Sequence, residues 1–349
     1  MEKILVELIK NYKDNDHSPD DLGLTNGKTG LGLAYFILSK YTKDQAFADK
    51  GFDMFDAVTE NIAHINEINF SNGLAGIGWV IEWLVQNNFF EANTDEILED
   101  VDNAIYKALM FAPDNNLSLG NGTLGKLLYF FKRMQSINAN VNRFKTITHE
   151  TCLIVLTDEL RDKLMGDNGL LKKLKENSIP IDFRFLGHLI AFLSDFLNSK
   201  INEPTVETIL YETIKVVSEI LKAGEQNFKK RETGDFEFLA VCYFIAGKNH
   251  AHQYWQEQAR NHIKLLNSVK YMSSTNINLI IPQLKIYSLT NQYFPEILNK
   301  SDCEELIFKD ILGTDSLRSS HIFGNLLPFC NLCDYIDASA ISELQLVYY

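Results

Sequence analysis

Three short stretches of this chain repeat one another at a nearly constant spacing. They read Asn26-Gly27-Lys28-Thr29-Gly30, Asn72-Gly73-Leu74-Ala75-Gly76 and Asn121-Gly122-Thr123-Leu124-Gly125. Their last glycines are 46 and then 49 residues apart, and an apolar run follows each motif. A period of this size with a helix after every motif is typical of a repeat architecture, in which stacked hairpins share one continuous core.

Two kinds of segment alternate along the repeat. The runs after the motifs, Leu31 to Leu38, Ile77 to Leu84 and Leu127 to Phe130, are apolar on nearly every side, as helices buried all round are. The segments between them, for example residues 97 to 109, carry apolar residues on one face only. The alternation therefore predicts two concentric layers of helices.

The pattern continues beyond the third motif, but the glycine motifs that mark the helix starts are less complete. Phe185-Leu186-Gly187 and Ile322-Phe323-Gly324 each precede a further apolar run, and the distance between them leaves room for two repeats that lack the glycine. The count then reaches seven hairpins, and no Pro/Ser-rich linker interrupts the series. We predict one all-α domain over residues 1–349.

The residues of the motifs suggest how each helix begins. Asn tolerates positive φ and caps helix N-termini, while the glycine after it permits a sharp turn into the helix. The last glycine of each motif would let neighbouring inner helices approach closely. Backbone N–H groups at these helix starts would then point to a common mouth and favour carbonyl or negatively charged groups there. The alternative is that the motifs are turn and packing signals only.

Composition excludes several classes of partner. The formal net charge of −13 argues against binding to nucleic acid or to an anionic membrane surface. The N-terminus lacks the features of a secretion signal, and no apolar run approaches the roughly 20 residues of a membrane span. Five scattered cysteines favour a reducing compartment over a disulfide framework. We expect a cytoplasmic protein without a membrane span.

Serial hairpins that open on Asn-Gly-x-x-Gly resemble the lanthionine synthetase C-like (LanC-like) family. The segment from Asn72 to Trp79 is similar to the Gly-Leu-Ala-Gly-Ile-Ala repeat of that family. The resemblance implies an (α/α) toroid, a double-layered α-barrel of about seven inner and seven outer helices, which agrees with the hairpin count. It also implies peptide chemistry, in which a cysteine thiol of a precursor peptide adds to dehydroalanine or dehydrobutyrine and closes a thioether ring.

The family holds a zinc ion through a Trp-Cys-Tyr-Gly segment and an adjacent Cys-His pair, and here the chain departs from the family. Val241-Cys242-Tyr243-Phe244 resembles the first segment, but Ser319-Ser320-His321 stands where the pair is expected, and no Cys-His pair occurs anywhere. We therefore predict no metal and no cofactor. Two alternatives stay open for the remaining cysteines: a rebuilt site from Cys242, His321 and Cys330 or Cys333, or inert buried thiols.

Charged residues stand at the expected starts of the fourth and fifth inner helices. Asp182 could act there as a general acid or base, with Arg184 binding a carbonyl or anion and His188 relaying protons. Asp235 and Glu237 hold the same place in the next hairpin. The alternative for Asp182 is a helix N-cap.

The resemblance leads to a peptide-binding hypothesis. The chain would engage a precursor peptide, dehydrated or not, in a central cavity, and either catalyse or assist cyclisation without the standard zinc. Whether it is an enzyme stays open, as does a dehydratase or another biosynthetic protein as partner. The peptide-binding candidates are Asn26, Asn72, Asn121, Asp235 and Glu237. If cyclisation occurs, the catalytic candidates are His188, Asp182, Arg184, Tyr243, Cys242 and His321.

Two other functions are compatible with the same sequence. A sugar-active α/α-toroid enzyme would need paired carboxylates at the pore, which Asp182 with Asp235 or Glu237 could supply. Against it, none of the three tryptophans neighbours those acids in sequence, although sugar sites commonly use Trp for stacking. The other possibility is a non-catalytic scaffold that binds partners on its outer surface.

Overall fold

A computed structural model describes residues 19–25, 27–111, 116–138, 142–224 and 234–264, with a few residues near 290 and 344. Helices make up the regular structure of these ranges, with no strand among them. Their bounds are α1 Lys28–Thr42, α2 Gln45–Asn61, α3 Leu74–Gln86, α4 Thr94–Ile97, α5 Glu99–Phe111, α6 Thr123–Met134, α7 Arg143–Met165, α8 Leu170–Lys175, α9 Phe183–Phe196, α10 Glu203–Gly224, α11 Asp235–Asn249 and α12 Gln253–Lys264.

The predicted alternation of helix types is confirmed within these ranges. The helices α1, α3, α6, α9 and α11 are buried over most of their length, and in α3 burial is continuous from Leu74 to Val85. The helices between them are buried along one side only. In α2, for example, the buried positions Phe47, Gly51, Phe55 and Val58 recur every three or four residues, as expected for one helical face. The later hairpins of the predicted series lie outside the described residues.

The chain divides into two compact units. One unit contains His17–Leu170 together with Ser199–Val206 and includes α1 to α7. The other contains Leu171–Asn198 and the described residues from Glu207 onward, with α9, α11 and α12. Within the first unit α1 packs on α2, α3 on α6, and α6 on α7; within the second, α11 packs on both α9 and α12. The predicted single domain stays a prediction.

A buried ionic cluster centred on Arg133 links four helices of the first unit. The Arg133 side chain is fully buried and donates from Nη1 to Glu82 Oε2 at 2.5 Å. Its Nη2 donates to Asp95 Oδ1 and to Asp102 Oδ2, both at 3.0 Å. These partners lie on α3, α4 and α5, while Arg133 is near the end of α6. One guanidinium therefore fixes the relative positions of helices from two successive hairpins.

Asp102 is the second centre of the cluster. It accepts hydrogen bonds from Tyr129 Oη at 2.5 Å and from Arg133, and its Oδ2 lies 3.2 Å from His149 Nε2 on α7. Burial alone would raise the pKa of this carboxyl, but the hydrogen bonds from His149 and Arg133 outweigh burial and lower its pKa to about 2. The carboxylate form of Asp102 is therefore the one that the fold stabilises.

Candidate functional site

Each of the three repeated motifs begins its helix at the first glycine, not at the asparagine. Gly27, Gly73 and Gly122 are the N-cap residues of α1, α3 and α6, with extended backbone and no side-chain cap. Neither Asn72 nor Asn121 has positive φ. The expectation that these asparagines cap the helices is thus wrong for the second and third motifs, and Asn26 lies outside the described residues.

The glycine N-caps are required because the preceding loop folds back onto them. A Cβ atom on Gly73 would lie 2.5 Å from Glu67 O, and one on Gly122 would lie 2.3 Å from Asn116 O. Gly27 is likewise enclosed by the backbone of Asp21 and Gly23. These carbonyl groups belong to residues six positions earlier, so the loop leaves no space for any side chain at the cap.

The folded-back loops also satisfy the first N–H groups of each helix. Leu74 N donates to Glu67 O at 2.9 Å and Thr123 N to Asn116 O at 2.9 Å, as Lys28 N does to Asp21 O at 2.8 Å. The expectation of N–H groups open to a common mouth is therefore wrong for these first-turn N–H groups. Their donors are already used within the chain.

The last glycine of each motif has a different role from the one expected. A Cβ on Gly30, Gly76 or Gly125 would lie 2.1, 1.9 or 2.2 Å from the carbonyl oxygen six residues before it, an overlap that no side chain can relieve. The close approach is therefore mainly to the helix's own preceding loop. Contact with the neighbouring repeat is secondary, as at Gly125, where Phe70 Cβ is 2.5 Å away.

These contacts define a ten-residue repeat that extends the motif towards the N-terminus. It covers 21–30, 67–76 and 116–125, and we name the part before each helix a helix-start loop. The aligned sequences are DLGLTNGKTG, EINFSNGLAG and NLSLGNGTLG. Before Asn-Gly, polar and apolar residues alternate in all three copies. The sequence analysis, which considered only the five residues from Asn onward, missed this part of the repeat.

The three helix-start loops lie side by side and are joined by backbone hydrogen bonds. Leu24 N and Thr25 N both donate to Ser71 O at 2.9 Å. Phe70 N and Ser71 N in turn both donate to Gly120 O at 2.9 Å. Equivalent positions of successive repeats thus make the same paired contact. The exposed side chains of Asn72 and Asn121 stand along this row.

The fourth buried helix begins in another way. Asp182 is the N-cap of α9, and its Oδ1 accepts a hydrogen bond from Phe185 N at 2.9 Å. This is the capping geometry that was the alternative for Asp182. The next buried helix, α11, follows Gly234, whose φ of 72° lies in the left-handed region that glycine favours.

Arg184 and Asp235 join the starts of α9 and α11. Arg184 Nε donates to Asp235 Oδ1 at 2.7 Å, and the two side chains are 44% and 23% exposed. The predicted neighbours Asp182, Arg184 and Asp235 therefore belong to one end of this helix pair, whereas Glu237 is 2% exposed and lies within the buried part of α11.

Cys242 is fully buried on α11. A Cβ added to Gly187 of α9 would lie 3.4 Å from its Sγ, so the thiol faces the α9–α11 contact. Burial raises the pKa of the Cys242 thiol well above its usual value. His188, the next residue of α9, is half-buried, and its ring meets the Phe238 ring edge-on with centroids 4.9 Å apart.

Tyr243 is directed toward the half-buried helices. Its hydroxyl donates to Gln258 Oε1 of α12 at 3.0 Å, and Gln258 Nε2 donates to Ser218 O of α10 at 3.2 Å. Burial raises the pKa of Tyr243 to about 12. The phenol is therefore a neutral structural donor in this arrangement.

A zinc ion does not fit at Cys242 with the donors that the structure describes. Within the described ranges, no three His, Cys, Asp or Glu side chains gather closely enough to hold a metal ion. His321, Cys330 and Cys333, the other members of the rebuilt site, lie outside those ranges. The buried setting of Cys242 also disfavours the thiolate that zinc requires.

Comparison with known proteins supports the resemblance over the first part of the chain and the fold. Residues 1–167 match the family model described as lanthionine synthetase C-like protein. The structure is similar to a solved structure named nisin cyclase, with a TM-score of 0.63 and 13% identity over 99% of this chain and 96% of that one. No relative is found among curated proteins. The predicted resemblance and the predicted all-α toroid class are confirmed by these matches.

No helix in the described part of the chain combines the length and the apolar character needed to cross a membrane.

Proposed function

Because this chain is lanthionine synthetase C-like in sequence over residues 1–167 and in fold over nearly its whole length, we propose that it binds a dehydrated precursor peptide and assists thioether ring formation. The proposal includes no resident zinc. A dehydratase, which makes dehydroalanine and dehydrobutyrine from serine and threonine, is the partner that this chemistry requires upstream.

The main support is the position of the family match. It covers all three helix-start loops, which are the most regular part of the described structure. The protein of similar fold is named a cyclase of nisin, and its fold extends over 99% of this chain. Sequence and fold thus point to the same class of substrate from separate comparisons.

The described residues favour binding over chemistry. Catalysis of thiol addition needs a group that deprotonates or stabilises the attacking sulfur. Among the candidates, Asp182 is engaged as a helix cap and Tyr243 as a donor to Gln258. Cys242 is buried, with a raised pKa. His188, which is half-buried, stays as a catalytic candidate, and His321 lies outside the described ranges.

Peptide contacts are assigned to exposed polar groups. In the first unit these are Asn72 and Asn121, whose amides can both donate to and accept from a peptide backbone. In the second unit Arg184 with Asp235 offers a charged pair at the start of α9 and α11. Glu237 is too buried to contact a peptide without a rearrangement.

The sugar-active alternative finds no support in the carboxylates. Asp182 and Asp235 accept from Phe185 N and Arg184, and Glu237 is buried. A glycosidase needs one carboxyl group held neutral to protonate the leaving group, beside a second that acts as base or nucleophile. Asp182 and Asp235 are thus already engaged, one as a helix cap and the other in an ion pair.

Binding is tested with synthetic peptides that contain dehydroalanine and serine, compared with peptides in which serine replaces the dehydroalanine. Fluorescence anisotropy should show tighter binding of the dehydrated set. The double variant Asn72→Ala/Asn121→Ala should weaken binding, whereas Asn103→Ala, an exposed asparagine on α5, should not. Equal binding of both peptide sets, or none, contradicts the proposal.

Cyclisation is measured separately. Peptides with both dehydroalanine and cysteine are incubated with the protein, and loss of alkylatable thiol is followed against the spontaneous reaction. Elemental analysis of the purified protein accompanies this assay. Stoichiometric zinc would replace the zinc-free proposal with a rebuilt metal site.

A further inference from the structure

Helix α7 carries apolar residues on two opposite sides. The buried side packs into the first unit and consists mainly of Cys152, Leu153, Leu156, Leu160 and Leu164. The other side carries Phe144, Ile147 and Ile154, which are 82%, 50% and 38% exposed. A helix that is buried on one side only ordinarily carries polar residues on the other. Folding of the first unit therefore does not explain these exposed residues.

The exposed apolar residues of α7 follow the spacing of a coiled-coil seam. Together with the exposed Thr151 they stand at 144, 147, 151 and 154, three, four and three residues apart. Thr151 fits this row because its hydroxyl donates to Ile147 O at 2.8 Å within the helix. This is the a and d spacing by which one helix receives another. The seam, as we name these four residues, extends about 15 Å, and Asp158 takes the next a position.

Helix α4 widens the apolar surface at the first end of the seam. Lys145 donates from Nζ to Asp95 O, which brings α4 beside the start of α7. Ile97 of α4 is exposed, as is Phe144 at this end of α7. Exposed apolar residues from two helices therefore occupy the same part of the first unit.

The charged residues near the seam are mostly acidic. The start of α5 lies beside the middle of α7, because Asp102 Oδ2 is 3.2 Å from His149 Nε2. The exposed charged residues of this region are the acidic Glu96, Glu99, Asp100 and Glu150 and the basic Arg143 and Lys107. Since acidic groups outnumber basic ones, basic residues of a partner are favoured next to the seam.

The same charges argue against a second copy of this chain as the occupant. In an antiparallel pair of α7 helices, Phe144 would face Ile154 of the other copy, and the two Glu150 side chains would lie next to each other at the centre. In a parallel pair Glu150 would face an e position, which is Thr148 or Val155 and supplies no cation. The net charge of −13 adds to the repulsion between copies.

We propose that the seam binds an amphipathic helix of a partner protein, with apolar residues at its a and d positions and Lys or Arg beside them. The partner helix lies along α7 from Phe144 to Ile154, and its cations face Glu150 and the acidic start of α5. Recognition of this kind places the apolar face of one helix on an apolar surface of another protein. The inference goes beyond the proposed function and does not depend on it.

The binding test uses a synthetic helix as the probe. Its sequence is three copies of Lys-Leu-Ala-Ala-Leu-Lys-Ala, which places leucine at a and d and lysine at e and g. One comparison peptide has glutamate in place of every lysine, and another has the same composition as the probe with its leucines spread around the helix. Fluorescence anisotropy should show that the probe binds at least tenfold more tightly than either comparison peptide.

Three variants locate the binding surface. Ile147→Ser/Ile154→Ser should weaken probe binding about tenfold or more and leave the unfolding midpoint unchanged, because both side chains are exposed. Glu150→Lys should weaken binding of the probe and strengthen binding of the glutamate peptide. Met165→Ser is the matched control, since Met165 is exposed on the same helix beyond the end of the seam, and it should change neither affinity.

Four results would overturn the inference. Equal binding of all three peptides would show only the general attraction of an acidic chain for cations, and absence of probe binding would leave no site. Unchanged affinity in the Ile147→Ser/Ile154→Ser variant would place binding elsewhere. A dimer in analytical ultracentrifugation that this variant converts to a monomer would identify a second copy as the occupant. The assay with dehydrated peptides is separate, so the proposed function is decided independently.

Discussion

Replacement of Arg133 by methionine is the sharpest test of how the first unit is held together. Arg133 is fully buried and bonds to Glu82, Asp95, Asp102 and Thr94 Oγ1, the last at 3.0 Å. Methionine fills a similar volume without the charge. The variant would leave the Glu82 and Asp102 carboxylates in the interior without their counter-ion. Removing one partner of a buried ion pair costs about 3–5 kcal/mol.

A loss of that size is a large part of the stability of a typical domain, about 5–15 kcal/mol. The assay is urea unfolding followed by tryptophan fluorescence, because Trp79 and Trp83 lie in the same unit as Arg133. With a slope of about 2–3 kcal/mol/M, the midpoint should fall by about 1–2 M. Arg161→Met is the matched control. Its side chain is 42% exposed beside Asp158 and Asp162, and such surface pairs contribute about 0–1 kcal/mol.

Further substitutions decide whether charge burial is the cause. If Glu82→Gln is added to Arg133→Met, one of the unpaired charges disappears, so the double variant should be more stable than Arg133→Met alone. An Arg133→Met protein as stable as the Arg161→Met control would refute the reasoning. So would a double variant whose two losses simply add.

Three other predictions follow from the structure. The pKa of Asp102 is lowered from the usual 3.8 to about 2, which adds about 2 kcal/mol to the free energy of unfolding. This contribution is present above pH 4 and is lost as the pH falls toward 2. Asp102→Asn should therefore flatten the acid limb of a stability–pH curve, and an unchanged limb contradicts this. Gly76→Ala places a Cβ 1.9 Å from Phe70 O and should cost at least about 2–3 kcal/mol in urea unfolding, whereas Gly51→Ala, which meets only an aromatic ring at 3.1 Å, should be tolerated. Because burial raises the pKa of Cys242, its thiol should resist iodoacetamide at pH 8 in the native protein, and rapid labelling in a peptide map would show an exposed thiol instead.

The helices were predictable because their pattern is local. The spacing of apolar residues along a helix predicts whether it is buried on every side or on one side. The helices α1 to α3 and α5 to α7 could therefore be derived from the sequence. The order of buried and half-buried helices followed from the same spacing. Their N-terminal details were not predictable from the motif alone. Asn-Gly has strong general preferences for capping and turns, and these favoured the wrong residue as the cap.

The Arg133 cluster could not be derived from sequence, because its members are far apart along the chain and each resembles an ordinary surface charge. Glu82 stands within an apolar run, which was one local sign that a buried cation must balance it. Nothing in the spacing identifies Arg133 as that cation. The contact exists only after two hairpins have packed, so long-range geometry decides it.

The helix-start loops show how sequence repetition and hydrogen bonding depend on each other. A loop can present two N–H groups to its neighbour only if its own carbonyls turn inward onto the glycines, and a glycine is needed wherever such a carbonyl approaches. Within this chain, the three copies of the repeat share their backbone packing more strictly than their side chains. The polar residue at the first position, for example, is Asp21, Glu67 or Asn116. The third motif is the last one with both glycines, and the next buried helix, α9, accordingly begins in another way, with Asp182 as its N-cap.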